Sequence, residues 1–244
     1  MTLETSLSGK VVLVTGASRG IGYQAAKEAA RRGAHVIAVA RTVGGLEDLD
    51  DEIKALGGST TLVPLDLRDG DGIDRLGAAI FERWGHLDGL IGNAGQLGVL
   101  SPVAHLEPKE FEQTFALNVT ANFRLIRSLD LPLRQSSAGR AVFLTSGAAH
   151  MGQPFWGLYA SSKAALEVLV KAYADELAVS PAKANIFNPG RLRTAMHAKA
   201  FPGVDPEDFQ PPVAAAPALV DMIMPGYGEN GVYFNFPTKQ TRPI

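Results

Sequence analysis

The sequence predicts an α/β fold, with a doubly wound and mostly parallel sheet of about seven strands that carries helices on both faces. Short apolar, β-branched runs alternate with segments of helical periodicity along the 244 residues, which is the pattern of a parallel sheet covered by helices. The runs are rich in Val, Ile, Leu and Ala, as expected of strands buried on both sides. No linker-like stretch divides the chain, so a single domain over residues 1–244 is predicted.

The predicted elements follow one another in regular order. The predicted strands are short apolar runs at 10–16, 34–41, 60–67, 87–95, 139–147, 183–190 and 231–236. The predicted helices have apolar residues at helical spacing and cover 21–33, 45–58, 72–85, 108–135, 157–178 and a segment around 213–224. The helix over 108–135 is expected to bend near Asn118, because asparagine is a poor helix former. The prolines and glycine of 200–212 oppose a continuous helix, so a mobile substrate flap is predicted around 195–212.

The composition excludes several classes of site. Apolar residues make up 46% of the chain and charged residues 20%, and the formal net charge is −2, so neither nucleic acid nor an anionic membrane surface is an expected partner. The lack of cysteine excludes disulfides, thiolate metal sites and cysteine nucleophiles. The five histidines are scattered, and no metal site is predicted. The amino-terminal MTLETSLSGK lacks the apolar run of a secretion signal, so a cytoplasmic location is expected.

The stretch TGASRGIG at 15–22 lies where the first predicted strand meets the first predicted helix. In such sheets ligands bind at the carboxyl ends of the strands, and a helix amino terminus attracts phosphate. Three glycines have distinct expected roles: Gly16 for a tight turn, Gly20 for close approach of a dinucleotide and Gly22 for close helix–strand contact. The spacing is G-x-x-x-G-x-G rather than G-x-G-x-x-G, and an ordinary turn is the alternative. The context favours a dinucleotide site, whose loop also includes Ser18, Arg19 and Ile21.

Two arginines bear on which dinucleotide would bind. An acidic residue at the end of the second strand would accept hydrogen bonds from an adenosine ribose and repel a 2′-phosphate. This chain has Arg41 at that place and Arg19 inside the glycine loop. Two guanidinium groups favour a phosphate, which predicts NADP over NAD. The alternative is that both arginines are merely solvated.

The stretch YASSK at 159–163 places a phenol and an ammonium one helical turn apart, on the same face of a helix. A free tyrosine has a pKa of about 10, which is high for an acid–base group near neutral pH. The Lys163 ammonium is expected to stabilise the phenolate of Tyr159 and lower that pKa. Ser146 follows the fifth predicted strand and would place the substrate oxygen beside Tyr159. As an isolated pattern, Y-x-x-x-K would more often be a plain helix face.

Seven motifs in order resemble those of the short-chain dehydrogenase/reductase family. They are TGASRGIG at 15–22, LDL at 65–67, NAG at 93–95, ALNV at 116–119, TSG at 145–147, YASSK at 159–163 and NPGRLRT at 188–194. Each motif alone is weak, but the set covers nearly the full length of the chain. The resemblance implies a Rossmann-type sheet and an NAD(P)-dependent oxidoreductase.

The resemblance also implies roles for individual residues. The catalytic tetrad would be Asn118, Ser146, Tyr159 and Lys163, with Lys163 also reaching the nicotinamide ribose and the Asn118 carbonyl holding a water in a proton relay. The remaining cofactor contacts are Asp66 and Leu67 at the adenine, Asn93, Ala94 and Gly95 along the adenine ribose, and Pro189, Gly190, Leu192 and Thr194 around the nicotinamide.

The chain departs from the family pattern in two places, at the NAG motif of residues 93–95 and in the carboxyl-terminal part. Gly92 replaces the first asparagine of the usual NNAG, which removes no catalytic group. The part after Thr194 is short and ends GVYFNFPTKQTRPI without a glycine-rich finish, which weakens any transfer of substrate class. Candidates for an apolar pocket near the nicotinamide, with the core as the alternative place for them, are Met151, Phe155, Trp156, Met196 and Phe201. His150 and Gln153 precede Tyr159 closely enough to contact substrate.

The function predicted from these features is an NADP-dependent oxidoreductase that transfers a hydride between the nicotinamide and a small or medium apolar carbonyl/alcohol substrate, with Tyr159 as general acid/base. The enzymatic alternatives are a 3-oxoacyl thioester (acyl-carrier-protein) reductase and a nucleotide-sugar epimerase, although an epimerase would need a larger carboxyl-terminal domain. The non-enzyme alternative is a catalytically silent dinucleotide-sensing regulator. The resemblance implies a homo-oligomer, a dimer or tetramer, formed through the helices 108–135 and 157–178. Its contacts would come from Phe111, Phe115, Leu169 and Tyr173.

Overall fold

A sheet of eight strands is the frame on which the other elements pack, in a computed structural model that describes residues 6–244. The strands are β1 Val11–Thr15, β2 His35–Ala40, β3 Ser59–Pro64, β4 Gly89–Gly92, β5 Arg140–Leu144, β6 Lys183–Asn188, β7 Val232–Asn235 and β8 Gln240–Pro243. Their spatial order is β3-β2-β1-β4-β5-β6-β7-β8, and the first seven pair in parallel. The order reverses between β1 and β4, and in sheets of this kind ligands bind at such a point.

Helices cover both faces of the sheet. They are α1 Gly20–Arg31, α2 Val43–Ala55, α3 Gly70–Trp84, α4 Pro108–Phe115, α5 Ala121–Gln135, α6 Gly157–Glu176, α7 Ala195–Ala200 and α8 Ala216–Asp221. One buried cluster joins the sheet to α1, α2 and α8, and a second joins it to α3, α5 and α6. The doubly wound, mostly parallel α/β fold predicted from the sequence is confirmed.

The two clusters divide the residues of each strand by alternation. In β1, Val12 and Val14 belong to the cluster of α1, whereas Val11 and Leu13 belong to the cluster of α5 and α6. Successive side chains of a strand point to opposite faces. Every residue of β1 is buried, and all but the last, Thr15, are apolar, as expected of a strand covered on both sides.

The predicted bend near Asn118 takes the form of a π-helical turn. Residues Ala116–Thr120 form this turn between α4 and α5, and Asn118 within it is fully buried. A π turn inserts one extra residue into a helix and is frequent at functional sites. The long predicted helix over 108–135 is therefore two helices, and the wide turn between them brings a polar side chain into the interior.

Several predicted strands end earlier than the sequence suggested. β4 ends at Gly92 and β5 ends at Leu144, so the polar stretches 93–95 and 145–147 lie in loops beyond the strand ends. Since neighbouring parallel strands end at the same edge, these loops meet above the sheet. Because β4 and β5 end early, the predicted site residues of these stretches do not take part in the backbone hydrogen bonds of the sheet.

The eighth strand, β8, was not predicted. It pairs antiparallel with β7, and all four of its residues are exposed. The sequence QTRP has no apolar alternation and contains a proline, which is tolerated on an edge strand. The helix expected around 213–224 is also shorter, with only α8 helical after a 3₁₀ turn at Pro212–Ala214.

One of the residues expected to face outward is instead internal. Tyr173 on α6 is 4% exposed, and its hydroxyl donates to Asp130 at 3.0 Å. Val168 on the same helix is 70% exposed, and Phe111 on α4 is 41% exposed. The apolar outer face of these helices thus includes Val168 but excludes Tyr173.

A buried carboxylate, Asp88, ties elements together at the amino edge of the sheet. It accepts from the Val11 amide at 2.9 Å and from the Ser136 hydroxyl at 2.7 Å, and it faces Lys10 at 3.3 Å and His86 at 3.2 Å. These contacts join the start of β1, the start of β4 and the end of α5. Asp88 is therefore placed to stabilise the fold at the edge opposite the strand-end loops.

No helix within residues 6–244 combines the length and apolarity that a bilayer crossing needs. The expectation about the amino-terminal segment falls partly on residues 1–5, which lie outside the described part of the chain. The cytoplasmic location stays a prediction.

Candidate active site

A cavity of about 1120 Å³ opens above the carboxyl ends of β1, β2, β4, β5 and β6. The predicted residues that line it are Gly16, Ser18, Arg19, Gly20, Ile21, Arg41, Asp66, Leu67, Asn93, Ala94, Gly95, Ser146, Tyr159, Lys163, Pro189, Gly190, Leu192 and Thr194. The other two predicted residues, Gly22 and Asn118, pack directly against members of this wall. Residues spread over most of the chain are thus brought to one cleft.

The glycine loop between β1 and α1 has no room for side chains at two positions. A Cβ on Gly22 would lie 2.5 Å from the Gly16 carbonyl oxygen, and a Cβ on Gly16 would lie 2.8 Å from Asn93 Nδ2. Gly16 also has a φ of +65°, which favours glycine. The Asn93 side-chain Nδ2 donates to the Thr15 carbonyl at 2.8 Å and so holds the loop against β4.

The amino terminus of α1 is suited to a phosphate group. In the described residues no side chain caps this helix, and its first turn contains no acidic residue. The first N–H groups of a helix have no partner within the helix, and the helix dipole favours an anion there. The close glycine loop and the uncapped helix together fit a dinucleotide pyrophosphate.

Charged groups surround the cavity near the ends of β2 and β3. Arg41 is 59% exposed in its side chain, and its Nη1 lies 3.9 Å from Asp66 Oδ2. Arg68 forms the closer ion pair with Asp66, and its Nη2 lies 2.5 Å from Oδ2. The hydrogen bond from Arg68 is the main cause that keeps the pKa of Asp66 below its usual value. Arg41 is therefore free to turn toward a ligand, because Arg68 already neutralises Asp66.

Tyr159 lies in the first turn of α6, and its side chain is almost fully enclosed. It is 7% exposed, and burial raises the pKa of its phenol to about 12. A hydrogen bond with the Ser146 side chain opposes this rise. Ser146 in turn accepts from the Ala148 amide at 3.2 Å, which fixes the serine at the start of a 3₁₀ turn.

Lys163 is one turn further along α6 and is also buried, at 4% exposure. Its Nζ donates to the Leu144 carbonyl at 2.8 Å and lies 5.9 Å from the centre of the Tyr159 ring. Burial lowers the pKa of Lys163 to about 8, and the negative charge of Glu167 opposes the shift. The expectation that Lys163 lowers the pKa of Tyr159 is wrong for this structure, because burial dominates and raises it.

Asn118 is held by a ring of hydrogen bonds. Its Oδ1 accepts from the Gln96 amide at 2.8 Å, and its Nδ2 donates to the Gln96 carbonyl and to Ser162 Oγ, both at 2.9 Å. Its main-chain carbonyl accepts from Asn122 Nδ2 at 2.8 Å, which occupies one of the two lone pairs of that oxygen. A Cβ on Gly95 would lie 3.2 Å from Asn118 Oδ1 and 3.4 Å from Lys163 Nζ, so the glycine leaves this corner open.

Apolar side chains form the wall opposite the glycine loop. The Trp156 ring lies edge-on to Tyr159 at 6.1 Å and packs against Phe201 at 5.4 Å between ring centres. Met151, Gln153 and Met196 also line the cavity. Two other candidates lie elsewhere: Phe155 is 55% exposed, and His150 pairs with Glu167.

The predicted flap, residues 195–212, contributes α7 and a 3₁₀ turn at Pro206–Asp208. Lys199 Nζ donates to the Gly98 carbonyl at 3.2 Å, which joins the flap to the loop after β4 across the cavity. The Arg193 amide donates to the Gln210 carbonyl at 2.9 Å and so joins the two ends of the flap. The mobility of the flap stays a prediction, based on its prolines and glycine.

Sequence reasoning missed three residues that hold the predicted ones. Gln96 and Ser162 bind Asn118, and Glu167 contacts the end of β5 from α6. Glu167 follows Lys163 by four residues, so helical spacing alone could have placed the two on one face. The role of Gln96 depends on a loop approaching a π turn, and no local pattern indicates that. No cluster of three or more His, Cys, Asp or Glu residues suited to a metal ion occurs within 6–244.

The family assignment follows from a comparison with known proteins. A family model described as short chain dehydrogenase matches residues 10–205, which include the glycine loop, the Tyr159–Lys163 pair and the strand ends between them. This chain belongs to the short-chain dehydrogenase family. The oxidoreductase YciK of Escherichia coli is 36% identical over 214 residues, which cover 86% of this chain and 84% of that protein.

Solved short-chain dehydrogenases have the same fold as this chain. A structure from Pseudomonas syringae superposes with a TM-score of 0.92 at 36% identity and covers 96% of both chains. A structure from Shigella flexneri, complexed with NADP, gives a TM-score of 0.91 at 34% identity and covers 96% of this chain and 99% of that one. The resemblance and the enzyme class expected from the motifs are confirmed: the chain is a short-chain dehydrogenase/reductase.

Because Lys163 is buried, we expect the free energy of unfolding to depend on pH. Its pKa is 10.5 when unperturbed and about 8 in the fold, so between these pH values the unfolded chain binds more protons and stability rises with pH. Below about pH 8 the buried ammonium costs roughly 3 kcal/mol. Lys163→Met should therefore raise the free energy of unfolding at about pH 7, and this gain should shrink toward about pH 10, as measured by urea unfolding.

The matched control is Lys171→Met, since Lys171 lies two turns further along α6 with a side chain that is 53% exposed. That substitution should leave the free energy of unfolding within about 0.5 kcal/mol of the parent at both pH values. A Lys163→Met variant less stable than the parent at neutral pH would contradict the assignment of a strained buried cation.

Proposed function

We propose that this short-chain dehydrogenase is an NADP-dependent carbonyl reductase in which Tyr159 is the general acid. The observation that carries the proposal is that Tyr159, Ser146 and Lys163 line one cavity, with Tyr159 and Ser146 hydrogen-bonded to each other. The same cavity is also lined by the uncapped start of α1 and by two arginines. A proton donor and a nucleotide cradle thus share one cleft, as hydride transfer to a carbonyl requires.

The chemistry assigned to Tyr159 is protonation of the substrate oxygen. When bound, NADPH would be the source of the hydride for the carbonyl carbon, and the electron pair of the C=O bond would be left on the oxygen. Tyr159 then gives its phenolic proton to that oxygen as the alcohol forms. With a pKa of about 12 the phenol is protonated at neutral pH, yet an alkoxide is more basic still. Proton transfer from Tyr159 to the forming alkoxide is therefore downhill.

Ser146 and Lys163 support this transfer in different ways. The Ser146 hydroxyl lies within hydrogen-bond reach of Tyr159 and would hold the substrate oxygen beside the phenol. With a pKa of about 8, Lys163 is mostly charged at neutral pH, so it stabilises the phenolate left after transfer. Lys163 would also bind the ribose hydroxyls of the nicotinamide. Asn118 would complete the centre by holding a water through its main-chain carbonyl.

The remaining lining residues are assigned to the cofactor. The segment 16–22 would bind the pyrophosphate, Asp66 and Leu67 the adenine, and 93–95 its ribose. Residues Pro189, Gly190, Leu192 and Thr194 would hold the nicotinamide. A 2′-phosphate would lie between Arg19 and Arg41, which both line the cavity. The Shigella flexneri relative that is complexed with NADP supports this choice of cofactor.

The substrate is proposed to be a small or medium carbonyl compound with apolar substituents. Trp156, Phe201 and Met196 face the cavity near Tyr159, and such a wall gains free energy by burying apolar surface. The same centre would also serve a 3-oxoacyl thioester. A panel of ketones, aldehydes and 3-oxoacyl thioesters, followed by the absorbance of NADPH, tests the class and distinguishes a reductase from a silent sensor.

Mutation of the proposed acid should separate chemistry from binding. Tyr159→Phe removes the proton donor and keeps the ring, so kcat should fall by about a thousandfold or more, within the range attributed to general acid catalysis. The dissociation constant for NADPH, measured by fluorescence titration, should stay within about twofold of the parent. Tyr227→Phe is the matched control, because Tyr227 lies near the amino edge, where its carbonyl binds Arg140. A Tyr159→Phe enzyme with parental kcat would exclude Tyr159 as the acid.

Cofactor preference should depend on Arg41. Replacing its guanidinium with a carboxylate removes a partner of the 2′-phosphate and adds a repulsive charge, so Arg41→Asp should shift kcat/KM from NADPH toward NADH by about tenfold or more. Arg127→Asp is the matched control, since Arg127 is 63% exposed and lies 3.8 Å from Asp74, much as Arg41 lies beside Asp66. An unchanged preference in Arg41→Asp would count against the proposed phosphate site.

The chain is also proposed to form a dimer or tetramer through the outer faces of α4, α5 and α6. Phe111, Phe123 and Val168 are 41%, 46% and 70% exposed on these helices, and a second copy of the chain would remove these apolar side chains from water. Sedimentation equilibrium should give two or four times the mass of 25.8 kDa. A monomer mass across the accessible concentration range would reject this assembly.

A further inference from the structure

A buried carboxylate, Glu167, lies behind the proposed catalytic residues. Its side chain is 7% exposed, and it occupies α6 one turn after Lys163. Charged groups are seldom buried without a partner or a purpose. The cofactor and substrate roles assigned above do not use Glu167, so its burial calls for an explanation.

Each oxygen of the Glu167 carboxylate has its own donor. Thr145 Oγ1 donates to Oε1 at 2.5 Å, and His150 Nε2 lies 2.9 Å from Oε2. Thr145 directly precedes Ser146, and His150 ends the 3₁₀ turn that follows it. The Glu167 carboxylate on α6 therefore contacts both ends of the segment 145–150, which contains Ser146.

Charged and titratable groups face Glu167 from every element around it. Lys163 is its neighbour on α6, His150 lies in the loop, Tyr233 is on β7 and Arg242 is on β8. Arg242 Nη2 lies 3.1 Å from His150 Nε2 and stacks on the Tyr233 ring at 4.0 Å. A single ring nitrogen cannot donate to Glu167 and accept from Arg242 at once. The buried carboxylate needs the donor more than the exposed guanidinium needs an acceptor, so Nε2 carries the proton.

We propose that Glu167 is a positioning residue for the reduction: it holds the segment 145–150 against α6 and supplies the counter-charge for the Lys163 ammonium. This inference rests on the proposed function of Tyr159, Ser146 and Lys163. The first role is mechanical, because a serine displaced from Tyr159 cannot hold the substrate oxygen. The second role is electrostatic, because in a dry site an anion one turn away favours the charged amine.

The test uses two variants that separate the two roles. Glu167→Gln keeps the shape and the hydrogen-bonding atoms but removes the charge, so kcat should fall by about tenfold or more and the pKa of Lys163 should fall below that of the parent. Thr145→Val keeps the charge but removes the contact to the loop, so kcat should fall while the pKa of Lys163 stays at the parental value. The pKa is read from ¹³C NMR of lysine labelled at Cε, with the Lys163 resonance assigned by its loss in Lys163→Met.

Asp175→Asn is the matched control, because Asp175 lies on the same helix with a side chain that is 71% exposed. It should change neither kcat nor the pKa of Lys163, and circular dichroism should show that every variant is folded. A folded Glu167→Gln enzyme with parental kcat and an unchanged Lys163 pKa would overturn the proposal. If Glu167→Gln does not fold, Thr145→Val decides, and a parental kcat there rejects the mechanical role.

The NMR titration needs no substrate or cofactor, so it distinguishes this inference from the proposed function. A parent protein that reduces no carbonyl in the panel would refute the proposed function. The pKa of Lys163 in Glu167→Gln would still test the electrostatic role of the carboxylate. If that pKa equals the parental value, the counter-charge role is rejected whatever the activity.

Discussion

Burial of the Lys163 ammonium against the end of β5 is the interaction on which the arrangement of the cleft depends. The amine donates to the Leu144 carbonyl at 2.8 Å while almost fully removed from solvent. Such a cation is unfavourable unless its partners are well placed, so α6 has little freedom to slide along β5. Tyr159, one turn before Lys163, is thereby fixed beside the loop that carries Ser146. The register of one helix against one strand thus sets the geometry of the whole centre.

The two edges of the sheet use buried carboxylates in different ways. At the amino edge, Asp88 accepts hydrogen bonds from a backbone amide and a serine and faces two basic side chains, and it joins the starts of two strands. At the carboxyl edge, Glu167 contacts a threonine and a histidine and shares its helix with a buried cation. The contacts of Asp88 pair its charge with basic side chains and stabilise the amino edge of the sheet. The arrangement at the carboxyl edge leaves an amine with a lowered pKa next to an open cleft, which is typical of a functional site.

The sequence predicts the features that are set by residues close together along the chain. The strands β1 to β7 follow from apolar runs, and the shared face of Tyr159 and Lys163 follows from one helical turn. The bend at Asn118 follows from a residue that disfavours the helix interior. Features that depend on distant contacts could not be predicted in this way. Strand β8 pairs with the edge of β7, and Tyr173 packs in the cluster of α3, α5 and α6 with its hydroxyl bound to Asp130.

The pKa of Tyr159 is the most instructive of these failures, because it bears on how the residue would recover its proton. Burial acts in opposite senses on a phenol and an ammonium, which raises the pKa of Tyr159 to about 12 and lowers that of Lys163 to about 8. Their order makes the ammonium the stronger acid. In the proposed mechanism, this order would favour return of a proton from Lys163 to the phenolate left after the transfer. Under the proposed mechanism, Lys163 would therefore also serve to restore the phenol between turnovers.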